Sequence, residues 1–466
     1  MAEKSKLPEN MYPDKFPFIS LRREKGGGFV FNPFFYNEEW IDDIEIEVLE
    51  YADGKHNIPE IVKAIAETHN LQEIESEKIV NGHLSKFASK GTLKYRNEPN
   101  PSPQAPNSHF THKNMVETRD YYSAPNSVLF DVTYRCNMVC KHCLIGGFPK
   151  EDEMNLYQIQ SVLAKLKEAG VFRVHFSGGE PLIRKDIFDI LKIASDLNFG
   201  ITLSSNGLLL NGRVFSRLKE LDVFCFQVSL DGIGKTHDDF RGVEGAYEKA
   251  VAALKTAASM GFYTVMSTTI IPQNLNEINR LLDLAVSLGV SSFKLNEFMP
   301  VGRGQTNKED LTVIHEQLRK LAEEMKQKEQ QYEGKIEMHL GAVSPWLLDP
   351  EQISPPPRGI NASCKVQCSA GYATLVIAPF GEVYPCPYLT DFPLGNILTE
   401  PLEKIWNNNS GILGKFRNLH QEDIKGKCKT CRHTPKKCNG GCRAAAYIAN
   451  GDILGEDSFC WKPTTE

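Results

Sequence analysis

No stretch of the 466 residues runs eighteen apolar positions long, so no membrane-spanning helix is expected. The opening Met-Ala-Glu-Lys-Ser-Lys brings in charge at once and lacks the apolar core of a secretory signal. Positive charge is not in excess either. Lys and Arg number 53 against 59 Asp and Glu, a formal net charge of -6, which argues against a general nucleic-acid binder. Repeats are absent, and low complexity is confined to one linker. With 41% hydrophobic and 24% charged residues the chain is not disordered, and its length suggests about three domains. These absences describe a cytoplasmic, multidomain protein. Cysteine, by contrast, is plentiful. Twelve are present, and clustered cysteines in a reducing compartment point to metal or catalysis rather than disulfides.

Eleven of them form two groups. Cys136, Cys140 and Cys143 lie near one third of the length. Cys364, Cys368, Cys386, Cys428, Cys431, Cys438, Cys442 and Cys460 occupy the last hundred or so. Cys225 stands apart in the apolar run Val-Phe-Cys-Phe-Gln-Val and reads as a buried strand residue. Residues 96–126 are rich in Pro, Asn and Ser and read as a linker. The chain therefore divides into a first module over 1–98, a linker over 99–126, an α/β domain over 127–335 and a cysteine-rich domain over 336–466. Within 127–330, strand patterns (128–133, 172–176, 201–204, 223–229, 263–270 and 292–296) alternate with helical stripes such as Ile159, Val162, Leu163 and Leu166. Six strand–helix units predict a parallel sheet with right-handed crossovers, as an open doubly wound sheet or a partial (β/α)6 barrel. A charged helix is expected over about 308–330.

Cys136-x3-Cys140-x2-Cys143 follows the first of these strands directly. Three thiolates at these spacings can wrap one face of a small cluster, and both zinc and four-iron clusters accept thiolates. Structural zinc needs a fourth ligand, and His142, wedged between two of the cysteines, is badly placed to supply it. Three cysteines with an open position suit a [4Fe–4S] cluster that leaves one iron for a substrate or cofactor.

This motif, placed behind a first strand, resembles the signature of radical S-adenosylmethionine (SAM) enzymes. Later strand ends match the family in order. Gly178-Gly179-Glu180-Pro181 resembles the family's turn at the SAM amino group, and a carboxylate there pairs with an ammonium. Ser204-Ser205-Asn206-Gly207 resembles its ribose-contacting turn. Ser229-Leu230-Asp231-Gly232 is also typical, Arg241 matches an arginine on the SAM carboxylate, and Ser267-Thr268-Thr269 ends the fifth strand. The resemblance implies that Gly178, Gly179, Glu180, Ser204, Asn206, Ser229, Asp231, Arg241 and Thr268 bind SAM.

Eight carboxyl-terminal thiolates can complete two four-cysteine sites, and two structural zincs are one way to fill them. The array resembles the SPASM extension, and the resemblance implies two auxiliary iron–sulfur clusters of the [4Fe–4S] type. It departs by one residue: six residues separate Cys431 from Cys438 where the family usually has five. The resemblance implies one cluster on Cys364, Cys368, Cys386 and Cys442, and another on Cys428, Cys431, Cys438 and Cys460.

The first module reads as a hairpin, three helices and a closing strand, a winged-helix-like pattern without basic charge. Its run Leu49–Lys55 followed by Ile58-Pro-Glu-Ile-Val62 resembles the PqqD-like peptide-recognition domain, in which a leader peptide adds to a sheet edge beside the third helix. A structural cap is the plainer alternative. Taken whole, the resemblance implies a radical SAM maturase. It would generate a 5′-deoxyadenosyl radical to crosslink or oxidise a ribosomally made precursor peptide, with a small electron donor such as flavodoxin or ferredoxin as partner and neither nucleic acid nor membrane. A sulfatase-maturing role fits less well, because Pro387 follows Cys386 where those relatives place an Asp. Tetrapyrrole or quinone-cofactor biosynthesis is the alternative enzyme. A non-enzymatic metal-cluster scaffold that binds peptides is the alternative of another class, and it would need neither the glycine turn nor Arg241.

Overall fold

Two capping boxes readable in the sequence start the first helices. Asp42 and Asn57 each accept the backbone N–H three residues on, while Glu45 and Glu60 reach back to the cap N–H. These caps open α1 (Asp43–Tyr51) and α2 (Ile58–His69), and α3 (Glu73–Ser89) follows. The computed structural model describes residues 11–34, 37–101, 121–147, 152–344, 347–348, 368–434 and 438–462. Cys364 and most of the expected linker lie outside them. The chain forms two compact units, 1–123 with 168–172, and 124–167 with 173–466.

In the first unit, β2 (Ser20–Glu24), β3 (Gly27–Asn32) and β4 (Asn37–Ile41) make an antiparallel sheet, and β1 (Tyr12–Lys15) pairs with β5 (Leu93–Arg96). Ile19, Val30, Ile46, Leu49, Ile61, Val80, Leu84 and Phe87 fill the core. The hairpin, three helices and closing strand are where the pattern puts them. The sequence reading missed β1 and β4. β4 is an edge strand in which only Ile41 is buried, so Asn-Glu-Glu-Trp-Ile carries no alternation to detect.

In the second unit, strands β6 (Ser127–Thr133), β7 (Arg173–Gly178), β8 (Gly200–Ser205), β9 (Val223–Ser229), β10 (Tyr263–Ile270) and β11 (Ser292–Glu297) alternate with helices. These are α4 (Leu156–Glu168), α5 (Ile187–Asp196), α6 (Gly212–Lys219), α7 (Lys235–Arg241), α8 (Ala246–Ser259) and α9 (Ile278–Ser287). The sheet continues through β12 (Glu337–His339) at one end, and through β13 (Thr374–Ile377), β14 (Glu382–Tyr384) and β15 (Gly395–Asn396) at the other. Its order is β12-β11-β10-β9-β8-β7-β6-β13-β14-β15, parallel from β12 to β13. A doubly wound sheet reverses its order at a switch point. Here β6 to β12 follow the chain without reversal, the winding of a partial barrel.

The charged helix is broken in two. Short α10 (Arg303–Thr306) and α11 (Lys308–Leu311) precede α12 (His315–Gln331). Thr312 and Ile314 are extended, as expected of a β-branched Thr-Val-Ile run that loses side-chain freedom in a helix. The last helices are α13 (Leu402–Trp406), α14 (Ile412–Arg417) and α15 (Arg443–Asn450).

Candidate active site and cluster pockets

Strand alternation gives the barrel two different faces. Val128, Phe130, Val132, Val174, Phe176, Ile201, Leu203, Phe226, Val228, Met266 and Phe293 are buried on one face. The alternate positions, among them Asp131, His175, Ser177, Gln227, Ser267, Thr269, Lys294 and Asn296, line a cavity of about 540 Å³. A polar inner wall is unusual for a barrel core, and it marks a ligand site.

Cys136, Cys140 and Cys143 line the mouth of this cavity. Three elements clamp their loop. At the end of β7, the Gly179 N–H donates to the Thr133 carbonyl (2.7 Å) and the Glu180 N–H to the Arg135 carbonyl (2.9 Å). From α7, the Phe240 carbonyl accepts the Lys141 N–H (3.0 Å). Beyond β11, the Arg303 N–H bonds the Cys143 carbonyl (2.8 Å) and Arg303 Nη1 the Cys140 carbonyl (2.9 Å). The third clamp was not anticipated. Gly302 was a visible signal: its φ is +55°, and a Cβ there would lie 2.2 Å from the Leu144 carbonyl oxygen.

The donor set suits a thiolate cluster. Asn206 Nδ2 lies 3.9 Å from Cys136 Sγ, Arg241 Nη1 lies 3.7 Å from Cys140 Sγ, and the Met138 N–H bonds Cys136. Burial first, and then the neighbouring thiols and carboxylates, push the Cys136 and Cys140 thiols up, so these N–H groups supply the compensation that a buried anionic cluster needs. His142 stacks on Phe240 with ring centres 4.4 Å apart, which packs it as a wall residue.

Gly178, Gly179, Ser204, Asn206, Ser229 and Arg241 line the cavity. Three other expected contacts do not reach it. Glu180 is fully buried, and its carboxylate accepts from the Leu182 N–H (3.1 Å), Ser205 Oγ (3.0 Å) and the Asn206 N–H (2.7 Å). Burial pushes its pKa up to about 7 although these donors oppose the rise. Its effect is to hold the Asn206 turn. Asp231 is likewise fully buried, bonded to Arg241 Nε at 2.6 Å, so it neutralises that arginine. Burial works against both charges, but their attraction holds Asp231 below and Arg241 above its ordinary value. Thr268 points out of the barrel and donates to the Leu230 carbonyl (2.6 Å), because Ser267 and Thr269 occupy the inward positions of β10. The two glycines that line the cavity also serve packing. A Cβ on Gly178 would meet the Thr133 oxygen at 2.0 Å and one on Gly179 the Arg135 oxygen at 2.3 Å, so they seat β7 against the cysteine loop.

Sequence reasoning overlooked the inner wall itself. His175 Nε2 and Ser204 Oγ are 2.6 Å apart, Gln227 Nε2 donates to the same hydroxyl (3.1 Å), and Asn296 Nδ2 donates to Ser267 Oγ (2.9 Å). Asp131 lines the cavity with no hydrogen-bond partner among the described residues, and burial pushes its pKa up to about 7. Cys225 is a buried strand residue on β9, as its apolar run suggests.

The carboxyl-terminal cysteines separate into two neighbourhoods. Cys368, Cys386 and Cys442 share one apolar cluster with Leu389, Phe416 and Ala444. Cys428, Cys431, Cys438 and Cys460 line a second cavity of about 460 Å³, where Cys442 also appears. Backbone N–H groups meet these sulfurs: Ala370 at Cys368, Tyr388 at Cys386, Ala445 at Cys442, Asp457 at Cys428, Gly440 at Cys438 and Lys462 at Cys460. Thiols held this way fit iron–sulfur ligation.

Residues 130–285 match the model of the radical SAM superfamily, and 368–432 match the SPASM model, an iron–sulfur cluster-binding domain. An AdoMet-dependent heme synthase of Methanosarcina barkeri is 31% identical over 349 residues, 72% of this chain and 97% of the relative. The mycofactocin maturase MftC of Mycobacterium tuberculosis is 30% identical over 343 residues, covering 72% and 83%. Among solved structures, Streptococcus suis SuiB bound to its precursor peptide SuiA superimposes with a TM-score of 0.68 at 17% identity, covering 96% of this chain and 99% of that one. That likeness is one of fold.

Proposed function

Because the chain belongs to the radical SAM superfamily and is a SAM-dependent enzyme with SPASM iron–sulfur clusters, we propose that it matures a ribosomally made precursor peptide. The observation that carries the reading is the coexistence in one chain of the small N-terminal unit, the barrel and the cysteine pockets, in a fold like that of SuiB, which was solved with its precursor. Cys136, Cys140 and Cys143 would hold a [4Fe–4S] cluster, which together with SAM would supply radical hydrogen-abstraction chemistry at this cavity. The residues around it bind and orient. Asn206 and Arg241 direct N–H groups at the cluster thiolates, Asp231 fixes Arg241, and Glu180 fixes Asn206. The polar inner wall aims the substrate. Cys368, Cys386 and Cys442 with Cys364, and Cys428, Cys431, Cys438 and Cys460, would hold two auxiliary clusters.

Residues 1–98 are the proposed leader-binding module. In support, β4 lies at a sheet edge, and Lys86 of α3 and Lys90 at its C-cap pair with its Glu39 at 2.8 and 2.6 Å, so the edge lies beside the end of the helix. A leader strand added there would lie against α3. A small flavodoxin or ferredoxin is the proposed electron donor and the cytoplasm the proposed location. No helix among the described residues is long and apolar enough to cross a membrane.

The test is anaerobic turnover with a leader-bearing peptide encoded beside this chain. The expected result is a mass change in the peptide matched to 5′-deoxyadenosine release. The heme synthase relative favours a second reading, action on a tetrapyrrole. An altered tetrapyrrole with an unchanged peptide would replace the first reading with the second.

A further inference from the structure

Three full cations line the barrel cavity: Arg241, Arg303 and Lys294. Two are engaged. Arg241 is neutralised by Asp231, and Arg303 donates to the Cys140 carbonyl. Lys294, on the inward face of β11, has neither an ion pair nor a hydrogen bond among the described residues. It sits in register with Ser267 of β10, and Asn296, two residues on, donates to that serine. Glu297 is the nearest acid by its influence on Lys294, but it is bonded to the Ala342 N–H beyond the strand end. Burial lowers the pKa of Lys294. An ammonium taken out of water with only the longer-range pull of Glu297 and no bonded acceptor is costly, and an anion entering the cavity would relieve that cost. The cavity also holds the Asp131 and Glu297 carboxylates, so a singly charged anion suits it better than a phosphate dianion.

We propose that Lys294, with the Ser267–Asn296 pair beside it, forms a carboxylate-binding subsite that takes an acidic group of the substrate, an Asp or Glu side chain or a free C-terminus. The proposal rests on the peptide-maturation reading for the identity of that substrate. The methionine carboxylate of SAM is the other possible source of the same chemistry, and the test separates them.

Competitive acetylation reads the subsite directly. The anaerobically reconstituted chain is labelled with trace acetic anhydride. Modification of Lys294 is measured by mass spectrometry relative to exposed Lys320. Three probes are compared in the presence of SAM: N-acetylglutamate methylamide, N-acetylglutamine methylamide and N-acetylglutamine with its carboxylate free. Lys294 should be protected by one or both acidic probes, about tenfold at ten times the dissociation constant, and not by the neutral one. The acidic probe that protects identifies side chain or terminus. Equal protection by the neutral probe, or none by any probe, overturns the proposal. So does protection by SAM alone, which would give the lysine to the cofactor. A Lys294 that resists labelling without any ligand would be closed off from the cavity and would also overturn it. No turnover is involved, so a chain that fails to modify peptides still gives a readable answer.

Discussion

Asp131 shows how much one side chain can impose. An aspartate ordinarily titrates near 3.8, and burial in the barrel moves this one to about 7. Between those values the folded chain binds a proton that the unfolded chain has released. Its contribution to stability therefore falls as pH rises through that window. Tyr134, just past the end of β6, feels its charge, and His175 lines the same cavity from the adjacent β7. His175 is itself held down to about 4 by burial, so it is neutral over most of the window. Asp131→Asn should stabilise the cluster-free chain at pH 8 by about 1–3 kcal/mol and by much less at pH 4. Thermal unfolding at the two pH values checks this, and an equal effect at both would mean that the carboxylate is compensated. The position looked like an ordinary strand residue in Val-Leu-Phe-Asp-Val-Thr. Only the curled sheet makes its side of the strand a cavity wall.

At the scale of elements, the joint between β7 and the cysteine loop is the tightest feature of the site. Gly178 has φ +131°, and an added Cβ would fall on the Thr133 carbonyl. Gly178→Ala should destabilise the chain by about 1–3 kcal/mol and displace the cysteine loop. Iron analysis should then show loss of the cluster at Cys136, Cys140 and Cys143, with the carboxyl-terminal iron retained. Full iron with an unchanged melting temperature would refute it. Strand parity teaches a related lesson. Thr268 was assigned to the ligand although Met266, two residues before it, is apolar and buried. That alternation places Ser267 and Thr269 on the inner face, and it could have been read from Val-Met-Ser-Thr-Thr. Glu180 was not open to correction in this way. Whether a carboxylate after two glycines faces a ligand or its own turn depends on Ser205 and Asn206, which β8 brings in from another strand.

At the scale of the molecule, three clusters imply about twelve irons per chain, or about ten if one has two irons. Replacing Cys136, Cys140 and Cys143 together by Ala should remove about four and abolish 5′-deoxyadenosine formation. About two zincs with only four irons would instead mean structural zinc in the carboxyl-terminal pockets. Removing residues 1–98 should slow processing of the full precursor and leave iron content unchanged, because tethering a leader raises the local concentration of the core peptide without adding a contact at the chemistry. Equal rates on full precursor and leaderless core, for both the intact and the shortened chain, would reduce the module to a cap.

The sequence by itself determined what depends on neighbours along the chain: the three-cysteine loop behind its strand, the capping boxes of α1 and α2, the six alternating units and the carboxyl-terminal cysteine spacings. Their physical basis is local, in turn chemistry, helix capping and hydrophobic period. Tertiary structure alone decided what depends on pairing between distant segments. It put β13 in register with β6, brought Cys368 and Cys386 to the cavity that Cys136, Cys140 and Cys143 line, turned Glu180 and Thr268 away from that cavity, and left Asp131 and Lys294 facing into it. An unpaired charge is not a property of a residue or its neighbours in sequence. It arises when the fold brings polar partners to some buried groups and none to others.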